Sequence, residues 1–599
     1  MAGVKILELL DGYKRDDRGS AGGFLSKPIT GSVRVNGGNR IVRQTKNAFS
    51  RVSALFAFTS VRTYGMAMLS MGILTLIIHL SVFYFNGTVI LPSALIIGIL
   101  FSVLGVALIL PDRPIAAVLQ DFALTDYIFF EFFCLRRTAV REGRGGIHVI
   151  FGLLTGISLA VIGYFTSVLY VVIALIALVY VMLGFTSPEF SFFTTLIAMP
   201  YLSFIEHSRY ILAAMVLVTL ISFIAKVILG KRVYYFEQYD AILALFMVFV
   251  LVSGIFVKGV ESFTGSIAMI LLSLGYVLSS SLIANRRLAD NMLSSIVISA
   301  IPMSIYAIVQ GVIQMVDLGG IFGYIGVKGS FETSTALAEL LLVAGAFCLY
   351  FVKTSKSSAV RLGYLASLIV IAVALVMTAE AWVAVAVLLG TLAYFCSRMR
   401  HGSGILIALL CICAYLPTVM PAEWFEALDS VPVLSRLGLY ESALVWRASF
   451  SMLIDNLFVG VGIGAECFAE EAAGYGIVGK TDSGNLFLEI GIEAGIFALT
   501  AMLLLFAVRL RHRSRYARFV RDARVKEATC FILAATVCLV VLGATGYLWG
   551  DMTVMYLFWC LFGASGALLR DSKRERDDWV DYFSDVRSSD SSSVDIGLR

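Results

Sequence analysis

The stretch TDSGNLFLEIGIEAGIFAL, Thr481 to Leu499, places a polar cluster directly before an apolar run that contains two acids, Glu489 and Glu493. Residues four apart on a helix share a face, so the two carboxylates project together. In a soluble protein this would be an unremarked surface pair. Within a membrane helix, ionisable groups at that depth are costly and need partners or a purpose. The solvent around this helix therefore has to be settled from the rest of the chain.

Of the 599 residues, 59% are hydrophobic and only 15% charged. A soluble domain carries roughly a quarter charged residues. Apolar runs recur from residue 66 to residue 569, each near the ~20 residues that a spanning helix requires. The composition predicts an all-α, polytopic integral membrane protein. The first 65 residues are polar and basic and lack the apolar core of a cleavable signal peptide. Most of the nine cysteines lie in apolar runs, where Cys behaves as a small hydrophobe, so no disulfide framework is indicated. Cys411 and Cys413 point to different helix faces and make a poor metal pair, and Cys467 stands alone in a loop. There is no HExxH, no P-loop and no nucleic-acid signature. Neither a metal nor another cofactor is expected, and a soluble metalloenzyme, an NTPase and a nucleic-acid partner are not indicated.

Spans are expected near 66–85, 89–110, 147–166, 168–185, 189–204, 208–229, 240–257, 264–284, 293–315, 334–353, 360–377, 380–397, 402–420, 485–507, 528–546 and 551–569. These sixteen spans put both termini on one side. The segments LRRTAVREGRGG, KVILGKRV, ANRRLADN, KTSKSSAVR, SRMRHG, RLRHRSRYARFVRDARVK and LLRDSKRER are all basic, whereas YFNGTV, DLGGIFGY, TAEAW and YLWGD are poor in Lys and Arg. By the positive-inside rule the basic set is cytoplasmic, together with both termini. The organisation expected is a basic arm (1–65), a four-helix membrane extension (66–188), a membrane body (189–570) and a charged cytosolic tail (571–599). The polar arm (1–50) and the tail bury little apolar surface and are expected to be loosely ordered. Residues 112–142 mix aromatic and charged residues in the manner of an interfacial helix at the membrane lipids.

In this orientation residues 421–484 form one long extracytosolic loop. Its 440–458 section has helical apolar spacing and is expected to lie along the membrane surface; GVGIG (460–464) marks a tight turn. The section WRASFSMLIDNLFVGVGIGAECF, followed by NLFLEIGIEAGIFAL, resembles the O-antigen ligase and lipid-linked polysaccharide polymerase superfamily. Two shorter stretches, GSFETSTALAELLL (329–342) and TAEAWVAVAVL (378–388), are similar to further segments of that family. The resemblance covers roughly 189–570. It implies a membrane glycosyltransferase architecture of the ligase and polymerase type, in a bacterial inner membrane. The substrate it implies is a glycan on an undecaprenyl pyrophosphate carrier, delivered to a glycan or lipid acceptor without a metal. Polysaccharide export or flippase proteins are the partners implied.

A lipid pyrophosphate leaving group needs cations, and an acceptor hydroxyl needs a proton acceptor. Arg447 falls on the family's basic position after the loop tryptophan; Arg436, Lys328 and Lys480 are the other cations expected near the outer face. Asn485 matches a family position. Gly484 stands where relatives carry histidine, and Asp482, two residues away, is the substitute proton acceptor, with an N-terminal cap beside Ser483 as its structural alternative. An arginine position falls on Ser442, a Ser-Arg pair on Thr378 and Ala379, and Asn-Pro-Asn on Thr333, Ser334 and Thr335. Glu339, Glu489 and Glu493 match polar or acidic family positions and are expected as structural support, Glu489 with its role open. The functional expectation is a ligase or polymerase with an altered site. Its alternatives are a non-catalytic assembly partner and a polysaccharide or lipid transporter.

Overall fold

The computed structural model describes residues 30–33, 55–86, 92–135, 147–205, 207–229, 232, 234–257, 259–283, 285–317, 326–399, 439–516, 520 and 522–570. Among them, twelve helices are long and apolar enough to cross a membrane, and two shorter apolar helices accompany them. The protein is an all-α polytopic membrane protein. Fifteen of the sixteen expected spans coincide with helices, and 402–420 lies outside the described residues.

Four helices come first: α1 (Val61–Asn86), α2 (Pro92–Ile109), α3 (Val149–Thr166) and α4 (Val168–Thr186). They have a small core of their own around Met71, Ala94, Ala160, Val168 and Val171, and most of their remaining surface is exposed apolar side chain. Small residues set their spacing: a Cβ added at Gly105 would meet the Leu69 backbone, and one added at Gly156 would meet Ala67 and Ser70. Helices in lipid gain no hydrophobic drive from one another, so close backbone approach at small residues is how they associate.

The body follows as α5 (Pro188–Leu202), α6 (Ser208–Ile228), α7 (Gln238–Phe256), α8 (Val260–Ser273), α9 (Gly275–Leu282), α10 (Arg286–Asp317), α11 (Ser334–Thr354), α12 (Ser358–Met377) and α13 (Trp382–Cys396). After the long loop come α14 (Leu439–Asp455), α15 (Ala465–Ala472), α16 (Leu486–Tyr516), α17 (Ala523–Gly543) and α18 (Met552–Ala567). Short polar residues start these helices as their types suggest. Thr333, Asp522 and Asp551 each accept a backbone N–H of the first turn, and Ser187 does so ahead of Pro188. Helices α5 and α18 are buried on nearly every face. At 1.5 Å per residue they are only about 22–24 Å long, short of a ~30 Å hydrocarbon layer. Enclosed by other helices, they need not match it.

Two expectations change. The polar arm is not wholly without regular structure: Thr30–Val33 pairs antiparallel with Tyr234–Glu237, Thr30 opposite Glu237. Within the 112–142 segment the described residues form not one helix but three short ones, Ile115–Asp121, Ala123–Asp126 and Tyr127–Phe132, that dock on the body. Phe133 packs on Phe190, and Arg287 reaches the Glu131 carboxylate at 3.0 Å.

Candidate functional site

The opening stretch folds into a broken helix. Gly495 sits at φ 81°, ψ 172° inside α16, a conformation only glycine adopts readily, and it divides 486–494 from the remainder. A break inside a membrane leaves backbone groups without partners, which hydrocarbon cannot satisfy. Here the glycine-rich loop satisfies them. Val461 N–H donates to Ile492 O at 2.8 Å, Gly462 N–H to Glu493 O at 3.2 Å, and Ile496 N–H to Leu457 O at 2.8 Å. The loop approaches so closely that a Cβ on Gly460 would collide with the Ile492 and Glu493 carbonyls. GVGIG is therefore a turn at Gly460, as its composition suggests, that continues as an extended segment laid along the break. Ser253 of α7 adds a hydroxyl donated to Glu493 O at 2.6 Å, and Ser262 of α8 accepts Ile463 N–H at 3.1 Å.

The two acids are handled differently. Glu493 accepts Gly464 N–H on one carboxylate oxygen at 3.2 Å and the Tyr547 hydroxyl on the other at 2.7 Å. Glu489 accepts Ser483 N–H at 2.6 Å on Oε2, while its Oε1 has no hydrogen-bond partner among the described residues. Both are shut away from solvent. They lie about 5 and 10 Å along the helix from its start. Burial, followed by the Glu493 and Glu489 charges, pushes the Tyr547 hydroxyl well above its ordinary 10.0.

Ahead of the helix, Asp482 accepts Gly484 N–H at 2.9 Å, closing a turn at Gly484, whose φ of 64° lies in the left-handed region. The cap itself is Asn485, whose Oδ1 accepts Phe487 N–H at 3.0 Å. Asp482 is thus a turn former one step before the cap. Asn485 Nδ2 donates to Ala544 O at 3.0 Å and ties this turn to the link between α17 and α18.

That link, 544–551, joins the turn to a second acidic group. Thr335 lies against Gly546, and Glu380 Oε1 accepts the Ser334 and Thr335 hydroxyls at 2.6 and 3.0 Å. Glu339 is buried, one oxygen without a partner among the described residues, within electrostatic reach of Glu380 and Asp551. Segments 329–342 and 378–388 hence meet in space, through the Ser334 and Thr335 hydroxyls of one and the Glu380 carboxylate of the other.

Of the four expected cations, three are described. Arg447 is on the exposed stripe of α14 with Leu444, Phe450 and Ile454; Lys480 pairs with Glu441 at 3.0 Å; Lys328 is exposed. Arg436 lies outside the described residues. Among the described residues no Lys or Arg forms an ion pair with Glu339, Glu380, Glu489, Glu493 or Asp551, and no group of three metal-binding side chains occurs. Sequence reasoning missed Tyr547 and Asp551. The one signal available was a tyrosine and an aspartate flanking a tryptophan at a junction poor in Lys and Arg. The chain matches no protein-family model, and no curated protein matches it.

Proposed function

We propose that this protein works in surface-polysaccharide assembly as a ligase- or polymerase-type membrane protein, handling glycans on a polyprenyl pyrophosphate at the outer face of a bacterial inner membrane. One observation supports the reading above the rest. Three segments singled out separately for family resemblance, 329–342, 378–388 and 481–499, come together at one end of the body, joined by Glu380 to Ser334 and Thr335 and by Asn485 to the 544–551 link. Residues that merely line lipid have no reason to converge on shared polar contacts.

The chemistry follows from the residues present. With Gly484 in place of histidine, a carboxylate takes the acceptor proton, and half-buried Asp482, in the turn ahead of the helix, is the acid that serves. The pyrophosphate is held by the loop cations Arg447, Arg436, Lys480 and Lys328, since buried carboxylates would repel it. A second reading, a non-catalytic assembly partner, draws support from Lys480, whose charge is already engaged by Glu441.

Deleting the gene and profiling surface glycan length and attachment tests both readings. The expected result is an altered profile, restored by the wild-type gene and not by Asp482→Ala or Arg447→Ala. An unchanged profile in the deletion strain rejects the glycan reading. Full rescue by both variants rejects catalysis at this site and leaves the partner reading.

A further inference from the structure

Glu489 and Glu493 stand one turn apart, with no cation on either among the described residues. Two carboxylates so placed in a dry interior do not both ionise readily, because each raises the cost of charging the other. Their hydrogen bonds show which is prepared for the negative charge. Glu493 has a donor on each oxygen, Gly464 N–H and the Tyr547 hydroxyl. Among the described residues Glu489 has a single donor, Ser483 N–H, and a bare Oε1 with no access to solvent. An unmet hydroxyl at Oε1 forgoes one hydrogen bond; an unmet charge there forgoes its whole hydration.

We propose that Glu489 and Glu493 form a proton-binding site that holds one exchangeable proton at neutral pH, carried on Glu489. This stands apart from the glycan reading, since it rests only on the pair and its surroundings.

The groups facing the pair deepen the need for a proton. Asp482 approaches from the preceding turn and Tyr547 from the link; Glu261 of α8 and Cys467, Glu466 and Glu470 of α15 lie on the loop side. Helix α7 offers Ser253, a neutral hydroxyl spent on Glu493 O. Helix α14 carries Glu441, Arg447 and Asp455 on its exposed face. Half-buried Asp482 stands between the pair and the loop surface, where water supplies and receives the proton.

Infrared difference spectroscopy of the full-length protein in lipid nanodiscs tests this, by following the carbonyl stretch of protonated carboxyl groups as pH is raised. The wild type should show a band at neutral pH that moves on transfer to heavy water and disappears as pH rises. Glu489→Gln should lose it, and Glu339→Gln, a buried acid outside the pair, should keep it. Glu493→Gln removes the neighbouring negative charge, so ionising Glu489 becomes easier and the midpoint should fall by about one pH unit or more. If Glu489→Gln does not fold, the Glu493→Gln shift decides alone. A wild type without the band, a band unchanged in Glu489→Gln, or an unmoved midpoint in Glu493→Gln overturns the proposal.

Discussion

At the end of the body away from the long loop, Glu527 of α17 meets Lys353 at 2.9 Å and also pairs with Arg398, while Asp522 meets Arg286 at 3.2 Å and Glu189 pairs with Arg232. At the loop end, Glu339, Glu380, Glu489, Glu493 and Asp551 have, among the described residues, only hydroxyl and N–H donors or open oxygens. Both ends bury carboxylates in one helical body, and among the described residues only the first answers its buried acids with Lys or Arg. The paired end is electrostatically closed, with each charge answered by fixed side chains. The loop end is open: its acids can be completed only by protons or by donors from outside the described residues. The comparison separates a scaffold from a place where chemistry can occur.

Disrupting the broken helix should cost the most. Gly495→Ala forces a side chain into a backbone conformation suited to glycine and drives a Cβ into the Phe458 carbonyl, so a loss of about 3 kcal/mol is expected, read by thermal unfolding in lipid. A loss no larger than that at the paired end would mean the loop is not bonded to the break. Glu527→Ala at the paired end should cost about 1 kcal/mol, because Lys353 and Arg398 are half-exposed and can return to water.

A smaller effect should appear in acid. Asp522 is partly desolvated, yet the Arg524 N–H and the Arg286 guanidinium hold its carboxyl below the usual 3.8. A lowered folded value means that stability is present above pH 3.8 and is lost as pH falls through the folded value. Asp522→Asn should therefore flatten the acid limb of a stability-against-pH curve measured below pH 4. The smallest effect concerns reactivity alone. Burial and then Glu261, Glu493, Glu470 and Glu466 push the Cys467 thiol above its ordinary 9.0. Alkylation of Cys467 should accelerate only at more alkaline pH than for a free thiol, and Glu261→Gln should move that rise downward. An unchanged profile would remove the claim of a carboxylate field at the loop end.

The membrane class and most helix positions were legible, because each rests on composition over a window of about twenty residues. The break in α16 was not. Gly495 in EAGIF reads as a tolerated helix glycine, and its backbone angle is imposed by a segment more than thirty residues upstream. Asp482, Asn485 and the three acids were legible as polar intruders, but their roles were not, since capping by Asn485 and bonding of Glu493 to Tyr547 depend on packing. The ammonium of Lys480, two residues from Asp482, pairs with Glu441 across the loop, a contact that sequence spacing does not reveal.

The bonds between the glycine segment and the break carry one more consequence. A nine-residue stretch of helix has little persistence by itself, and 486–494 keeps its shape because the incoming loop completes it. Whatever pulls the loop aside must also unravel the helix that carries Glu489 and Glu493. Here the loop and the helix it completes depend on each other, so displacing the one and dismantling the carboxylate pair would be a single event.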